Sequence, residues 1–158
     1  MRHVVIDTNC LIQMISLHSP YRPIWNAFLA GEFQLCISNE ILEEYQEIIE
    51  QETTARIAEN IILLILNKRN VTFVDPHFRL GLITDDPDDN KFVDCAFAAN
   101  ADYLVSDDKH FSVLRNTLFP PLNLVKMAEF LSIILKISSV TFLQGHRPPI
   151  SVLSVSSV

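Results

Sequence analysis

The sequence predicts an α/β domain of three layers, in which helices cover both faces of a mostly parallel sheet of about five strands. Short β-branched runs alternate along the chain with segments whose apolar residues repeat at helical spacing. This alternation is typical of parallel sheets that are buried on both sides. The chain has 158 residues, 49% of them hydrophobic, which is enough for one domain with its own core.

The first half of the chain alternates between predicted strands and predicted helices. The run His3–Ile6 reads as a strand that Asp7 ends, and the apolar residues after it form a helix that Pro20 and Pro23 break. Ser38 is a typical helix N-cap, because apolar residues at i, i+1, i+4, i+7 and i+8 follow it. The other elements predicted here are a helix over Ile24–Ala30, a strand over Gln34–Ile37, a helix from about Thr54 to Asn67 and a strand over Val71–Val74.

The second half continues the alternation. Prolines and a run of acids make residues 75–88 a predicted loop. The elements predicted after it are an alanine-rich helix over Asp89–Asn100, strands over Tyr103–Val105 and Asn123–Val125, and a helix over Lys126–Lys136. We therefore assign residues 1–136 to the domain and residues 137–158 to a Ser/Val-rich C-terminal tail of unknown structure.

Composition restricts the classes of function. The chain has 12 Lys and Arg against 19 Asp and Glu, so any contact with a nucleic-acid backbone must be local, bridged by metal or shared by an oligomer. Cys10, Cys36 and Cys95 are widely spaced within apolar runs, which predicts buried thiols in a reducing cytoplasm. Charged residues interrupt every apolar stretch well before the roughly 20 residues of a membrane span.

Three acids occupy positions that indicate one shared crevice. Asp7 directly follows the first strand, where the chain leaves the sheet. On the helix after Ser38, Glu44 lies about 100° from the centre of the apolar stripe, whereas the other glutamates lie about 140° to 160° away. On the alanine-rich helix, Asp89 lies within about 20° of the stripe centre, while Asp94 is predicted to point to solvent. Each of these acids has an ordinary alternative as a helix cap or a solvated helix-edge carboxylate.

The segment Ser106-Asp107-Asp108 follows a predicted strand at the same sheet edge as Asp7. Periodicity does not choose between Asp107 and Asp108. Four carboxylates around one crevice repel each other unless a cation neutralises them or some stay protonated, and Mg²⁺ or Mn²⁺ suits such oxygen ligands. Other site types have less support, because the chain has only three glycines and its five histidines share no metal-ligand spacing. We interpret those histidines as surface or core residues.

Several short motifs together resemble a known family, the PIN domain nucleases, and especially the bacterial PIN-family toxins of type II toxin–antitoxin systems, of which the VapC-type ribonucleases are the best known. The resemblance covers roughly residues 1–136. The motifs that carry it are Val4–Asn9, Ser38 with Glu44 six residues on, Asp88–Phe92 leading into Ala96, Ala98–Asp108, and Asn123–Val125 followed by Glu129–Leu131.

The resemblance implies a metal-dependent ribonuclease. Its catalytic and metal-binding acids would be Asp7, Glu44, Asp89 and Asp108. Asn9 and Ser106 would be hydrogen-bonding neighbours of these acids. The family pattern places Ser or Thr two residues before the last acid and so favours Asp108, although relatives commonly have an uncharged or basic residue where this chain has Asp107.

The same resemblance implies Mg²⁺ or Mn²⁺ as cofactor, RNA as substrate, a cognate antitoxin protein as partner and a homodimer. Attack by water on phosphorus would leave 5′-phosphate and 3′-hydroxyl ends. The residues from which a few phosphate contacts are expected are Arg2, Arg22, Lys68, Arg69, Lys91 and Lys109. Two alternatives stay open: a non-catalytic PIN-like structural or protein-binding module, and a nuclease that acts on DNA.

Overall fold

The computed structural model describes residues 1–116 and 122–145. Five strands form one sheet in the order β3-β2-β1-β4-β5. The strands are β1 His3–Ile6, β2 Gln34–Ile37, β3 Val71–Phe73, β4 Tyr103–Val105 and β5 Leu124–Val125. The α-helices are α1 Thr8–Ile15, α2 Arg22–Leu29, α3 Asn39–Glu52, α4 Ala55–Asn67, α5 Asn90–Ala98 and α6 Met127–Leu143, and short 3₁₀ helices cover Pro87–Asp89 and Lys109–Asn116.

Every strand pairing in the sheet is parallel, which confirms the predicted fold class. The connections from β1 to β2 and from β2 to β3 run toward one edge of the sheet, and those from β3 to β4 and from β4 to β5 run back across it. Right-handed crossovers therefore place α1 and α2 on one face and α5 on the other. The direction changes between the neighbouring strands β1 and β4, and ligand crevices form at the carboxyl ends of such strands.

Apolar packing holds this arrangement on both faces. Val4, Val5 and Ile6 of β1 are fully buried, as expected for a central strand. Phe33 packs its ring against Phe130 with centroids 5.4 Å apart, which ties the start of β2 to α6. The three cysteines are buried free thiols, as predicted.

The last helix is longer than the sequence indicated, since α6 continues past Lys136 to Leu143. Serine and threonine are poor helix formers because their hydroxyls compete for backbone groups. Here those hydroxyls bond within the helix: Ser139 donates to the Leu135 carbonyl and Thr141 to the Ile137 carbonyl. The remainder of the predicted tail, residues 146–158, lies outside the described residues. Within residues 1–116 and 122–145, no helix is both long and apolar enough to cross a membrane.

Candidate active site

An open cavity of about 630 Å³ lies beyond the carboxyl ends of β1 and β4. The structure brings together here the four acids that the resemblance singles out. They are Asp7, Glu44, Asp89 and Asp108. Asn9, which sequence reasoning placed beside these acids, also lines the cavity.

Asp7 is the most deeply buried of these acids, with 5% of its surface exposed. It ends β1, and its Oδ1 accepts a hydrogen bond of 2.8 Å from the Cys10 amide, so Asp7 also caps α1. Its Oδ2 accepts a hydrogen bond from the Ser106 hydroxyl at the end of β4. Burial raises the pKa of Asp7 above 3.8, and the bonds from Ser106 and Cys10 offset part of that increase. Asp7 therefore has both the capping role and a position at the cavity.

Glu44 reaches the cavity from α3 and is held at both carboxylate oxygens. The Thr8 hydroxyl donates to Oε1 at 2.5 Å, and the Lys91 ammonium group donates to Oε2. The next residue, Tyr45, is fully buried and donates its phenol hydrogen bond to the Ile6 carbonyl. This bond fixes α3 against the end of β1 and so positions Glu44 beside Asp7.

Asp89 lies at the junction between the 3₁₀ helix and α5, with its side chain 19% exposed. Its pKa is raised to about 6, mainly by burial and also by the charges of Asp86 and Asp108, while His110 offsets part of the increase. The Oδ2 atom of Asp89 is buried and has no hydrogen-bond partner among the described residues. At neutral pH this oxygen is therefore a charged atom that lacks a donor.

His110 is an unpredicted member of the site, because the sequence analysis treated the histidines as surface or core residues. Its Nδ1 is also buried without a hydrogen-bond partner in the described chain, and lies 3.5 Å from Asp89 Oδ2 and 3.3 Å from Asp108 Oδ1. Ligand atoms of Asp86, Asp89 and His110 all lie within 4.8 Å of one another. The signal in the sequence was the position of His110 two residues after Asp108, near the end of a strand.

The structure separates the two adjacent acids after β4. Asp108 lines the cavity, and its amide donates to the Ser106 hydroxyl at 3.1 Å. Asp107 instead accepts a hydrogen bond of 2.9 Å from the Met127 amide at the start of α6. Of the pair, the structure places only Asp108 among the cavity-lining residues described.

The helical projection predicted that Asp94 points to solvent, and this prediction is wrong. It is 4% exposed, and its Oδ1 accepts a hydrogen bond of 3.0 Å from the Leu80 amide. The segment before α5 folds back over this side of the helix, where Phe78 packs edge-on against Phe97 with ring centroids 5.0 Å apart. This loop covers the polar face of α5, and helical periodicity cannot predict such cover because the loop is not part of the helix.

Four of the six basic residues expected to contact phosphate form hydrogen bonds within the chain. Arg2 donates to the Tyr103 hydroxyl at 2.8 Å. Arg22 donates to the Ile15 carbonyl, and Lys68 donates to the Leu29 carbonyl at 2.5 Å. Lys91 has a side chain only 12% exposed, because it lies between Glu44 and Asp88. Contacts within the chain therefore hold these side chains, and the expected phosphate contacts stay a prediction.

The donor set fits a hard divalent cation. Carboxylate oxygens are the preferred ligands of Mg²⁺ and Mn²⁺. Asp89 Oδ2 and His110 Nδ1, which have no hydrogen-bond partners among the described residues, lie 3.5 Å apart. Buried polar atoms normally have partners, so a pair without them indicates a missing ligand. A cation here would satisfy both atoms and reduce the repulsion among the acids.

Comparison with known proteins identifies the family and agrees with the fold. The sequence profile of the family described as PIN domain matches residues 3–110. A chain in the crystal structure of VapBC2 from Rickettsia felis bound to a DNA fragment from their promoter is 18% identical, with a TM-score of 0.57 over 78% of this chain and 98% of that one. The RRP44 PIN domain of T. brucei is 12% identical, with a TM-score of 0.51 over 92% of this chain and 87% of that one. Comparison with curated proteins gave no match.

Proposed function

This chain belongs to the PIN domain family, a family of nucleases, and from that membership we propose that it is a Mg²⁺- or Mn²⁺-dependent endoribonuclease that hydrolyses phosphodiester bonds. The observation that carries the proposal is the convergence of four carboxylates on one cavity at the switch point of the sheet. The partnerless atoms of Asp89 and His110 support a cation among them.

Asp7, Asp89 and Asp108 would hold the cation, with Glu44 completing the acidic pocket. A divalent ion in such a site supplies an activated water at neutral pH and neutralises the charge on the transferring phosphate. Ser106 keeps Asp7 in place by its hydrogen bond, and Thr8 does the same for Glu44. These two hydrogen bonds fix the orientation of the Asp7 and Glu44 carboxylates.

Asp89 changes its protonation state close to neutral pH. With its pKa raised to about 6, most of the Asp89 population is ionised at neutral pH and available as a ligand. Below that pH, a proton on Asp89 would compete with the cation. The proposed activity should therefore decline in mildly acidic solution.

We further propose that the protein is the toxin of a toxin–antitoxin pair, acts in the cytoplasm as a homodimer and is inhibited by an antitoxin protein. The similarity to a chain of the VapBC2 structure supports this assignment. An antitoxin would inhibit most directly by placing a basic side chain among the carboxylates or by excluding the cation.

The test compares cleavage of RNA and DNA hairpins of matched sequence, with Mn²⁺ or with EDTA. We expect Mn²⁺-dependent cleavage of the RNA hairpin, with 5′-phosphate and 3′-hydroxyl ends, and its loss in Asp7→Asn. The matched control is Glu59→Gln, which removes an exposed acid on α4 and should cleave normally.

Each alternative gives a different result in this assay. Preferential cleavage of DNA would indicate a DNA nuclease. Absence of cleavage of either hairpin, together with absence of Mn²⁺ binding, would indicate a non-catalytic module in which Asp7 serves only as the cap of α1. A product with a 2′,3′-cyclic phosphate would contradict attack by water.

A further inference from the structure

The cavity has two chemically different sides. On one side, a lysine ammonium group already lies between two carboxylates: Lys91 Nζ donates to Glu44 and lies 3.0 Å from an oxygen of Asp88. On the other side, Asp89 Oδ2 and His110 Nδ1 have no hydrogen-bond partners within the described chain. One side therefore holds a cation that the chain itself supplies, whereas the buried atoms on the other side have no such partner.

The position of Lys91 follows from the local fold. The residue is in the first turn of α5 and three positions after Asp88, so an ion pair along the helix start is within reach. Its side chain is only 12% exposed, and a buried ammonium group needs its charge compensated. Glu44 and Asp88, both in contact with the ammonium group, supply that compensation. Lys91 therefore remains a cation inside the cavity.

Both oxygens of Glu44 accept a hydrogen bond while this contact holds, Oε1 from Thr8 and Oε2 from Lys91. In sites that hold two divalent ions, the ions lie about 3.5 to 4 Å apart and share carboxylates. A second divalent ion on Glu44 would have to displace the ammonium group or approach it closely against strong repulsion.

We propose that Lys91 is a built-in cation that occupies the Glu44 side of the cavity and restricts the protein to one divalent ion, held on the side of Asp7, Asp89 and Asp108. In this arrangement Glu44 positions Lys91 rather than ligating metal. The inference rests on the proposed metal-dependent function and specifies how many ions that function uses.

The experiment counts Mn²⁺ ions bound per chain by calorimetric titration of metal-free protein. We expect one ion for the unaltered chain and two for Lys91→Met, in which Glu44 and Asp88 lose their counterion. Lys91→Arg keeps the charge and should bind one. Lys136→Met, which removes an exposed lysine on α6, is the matched control and should also bind one. The double variant Lys91→Met/Glu44→Gln should return to one ion, because the second site would depend on Glu44.

Two results would overturn the proposal. One is binding of two ions by the unaltered chain, a result that does not depend on the folding of any variant. The other is an equal count for the unaltered chain and Lys91→Met. A count of one for both would leave the proposed function standing and remove the role of Lys91. A count of zero for the unaltered chain would contradict the proposed metal-dependent function, on which this inference rests. Circular dichroism of each variant verifies that the counts refer to folded protein.

Discussion

Ser106 donates a hydrogen bond to Asp7 across 99 positions of the chain. Asp7 ends β1 and Ser106 follows β4 directly, so the bond joins the ends of the two strands between which the chain changes direction. The same hydroxyl accepts the Asp108 amide at 3.1 Å. One buried serine thus fixes two of the carboxylates at the cavity.

Replacing Ser106 with alanine should weaken both the fold and the site. Asp7 Oδ2 and the Asp108 amide would lose their partner, and such a loss costs about 1 to 3 kcal/mol in a buried place. We expect a lower free energy of unfolding in urea and weaker Mn²⁺ binding. Ser132→Ala, which removes an exposed hydroxyl bonded within α6, is the control. Mn²⁺ affinity equal to that of the unaltered chain would show that Ser106 does not position Asp7.

Substitutions of Asp107 and Asp108 should have different effects, the first on stability and the second on Mn²⁺ binding. Asp107→Ala removes the acceptor of the Met127 amide and should cost about 1 kcal/mol of stability while Mn²⁺ binding persists. Asp108→Asn should have the opposite effect, because it removes a charge at the cavity and keeps an acceptor for the His110 amide. Urea unfolding and Mn²⁺ titration of both variants test this. Loss of Mn²⁺ binding in Asp107→Ala alone would reverse the assignment.

The stability of the protein should depend on pH through Asp89 and Asp7. Burial is the main reason that both pKa values are raised, and the pKa of Asp89 reaches about 6. These groups titrate near 3.8 in the unfolded chain. Between these values the folded protein binds more protons than the unfolded chain, so their contribution makes the metal-free protein less stable as the pH rises through about 6. Mn²⁺ competes with the same protons, so its affinity should rise over this interval, by up to about tenfold per pH unit for each proton displaced.

Thermal unfolding with and without Mn²⁺ measures this linkage. The increase in Tm caused by Mn²⁺ should be largest at about pH 7 and should shrink toward about pH 5. In metal-free Asp89→Asn, the decline in stability with rising pH should be smaller than in the unaltered chain. A Tm increase that is independent of pH would contradict proton competition at these carboxylates.

The fold and three of the nine acids described at the cavity, Asp7, Glu44 and Asp89, could be predicted because they depend on local patterns. Asp7 directly follows a strand, which places it at the carboxyl edge of the sheet. The apolar stripes of two helices place Glu44 and Asp89 near the side that faces the core. Helical periodicity could not place Lys91 between Glu44 and Asp88, because that contact joins α3 to α5. His110 was missed for a similar reason, since spacing along the sequence does not show proximity to Asp89.

Asp94 shows the limit of helical projection and gives a further prediction. Because it is buried and bonds the Leu80 amide, Asp94→Ala should lower the free energy of unfolding by about 1 to 3 kcal/mol. Asp94→Asn keeps an oxygen acceptor and should retain most of the stability. Both variants should bind Mn²⁺ normally, because Asp94 does not line the cavity. Equal stability of Asp94→Ala and the unaltered chain would show that this bond contributes nothing.

The central claim is that the carboxylates at the ends of β1 and β4 form a divalent-cation site. The most direct measurement is calorimetric titration of Mn²⁺ into the metal-free unaltered chain, Asp7→Asn, Asp89→Asn and the control Glu59→Gln. Our account predicts stoichiometric binding to the unaltered chain and to Glu59→Gln, and loss of that binding in Asp7→Asn and Asp89→Asn, with both variants folded by circular dichroism. Undiminished binding in either aspartate variant, or no binding to the unaltered chain, would contradict it.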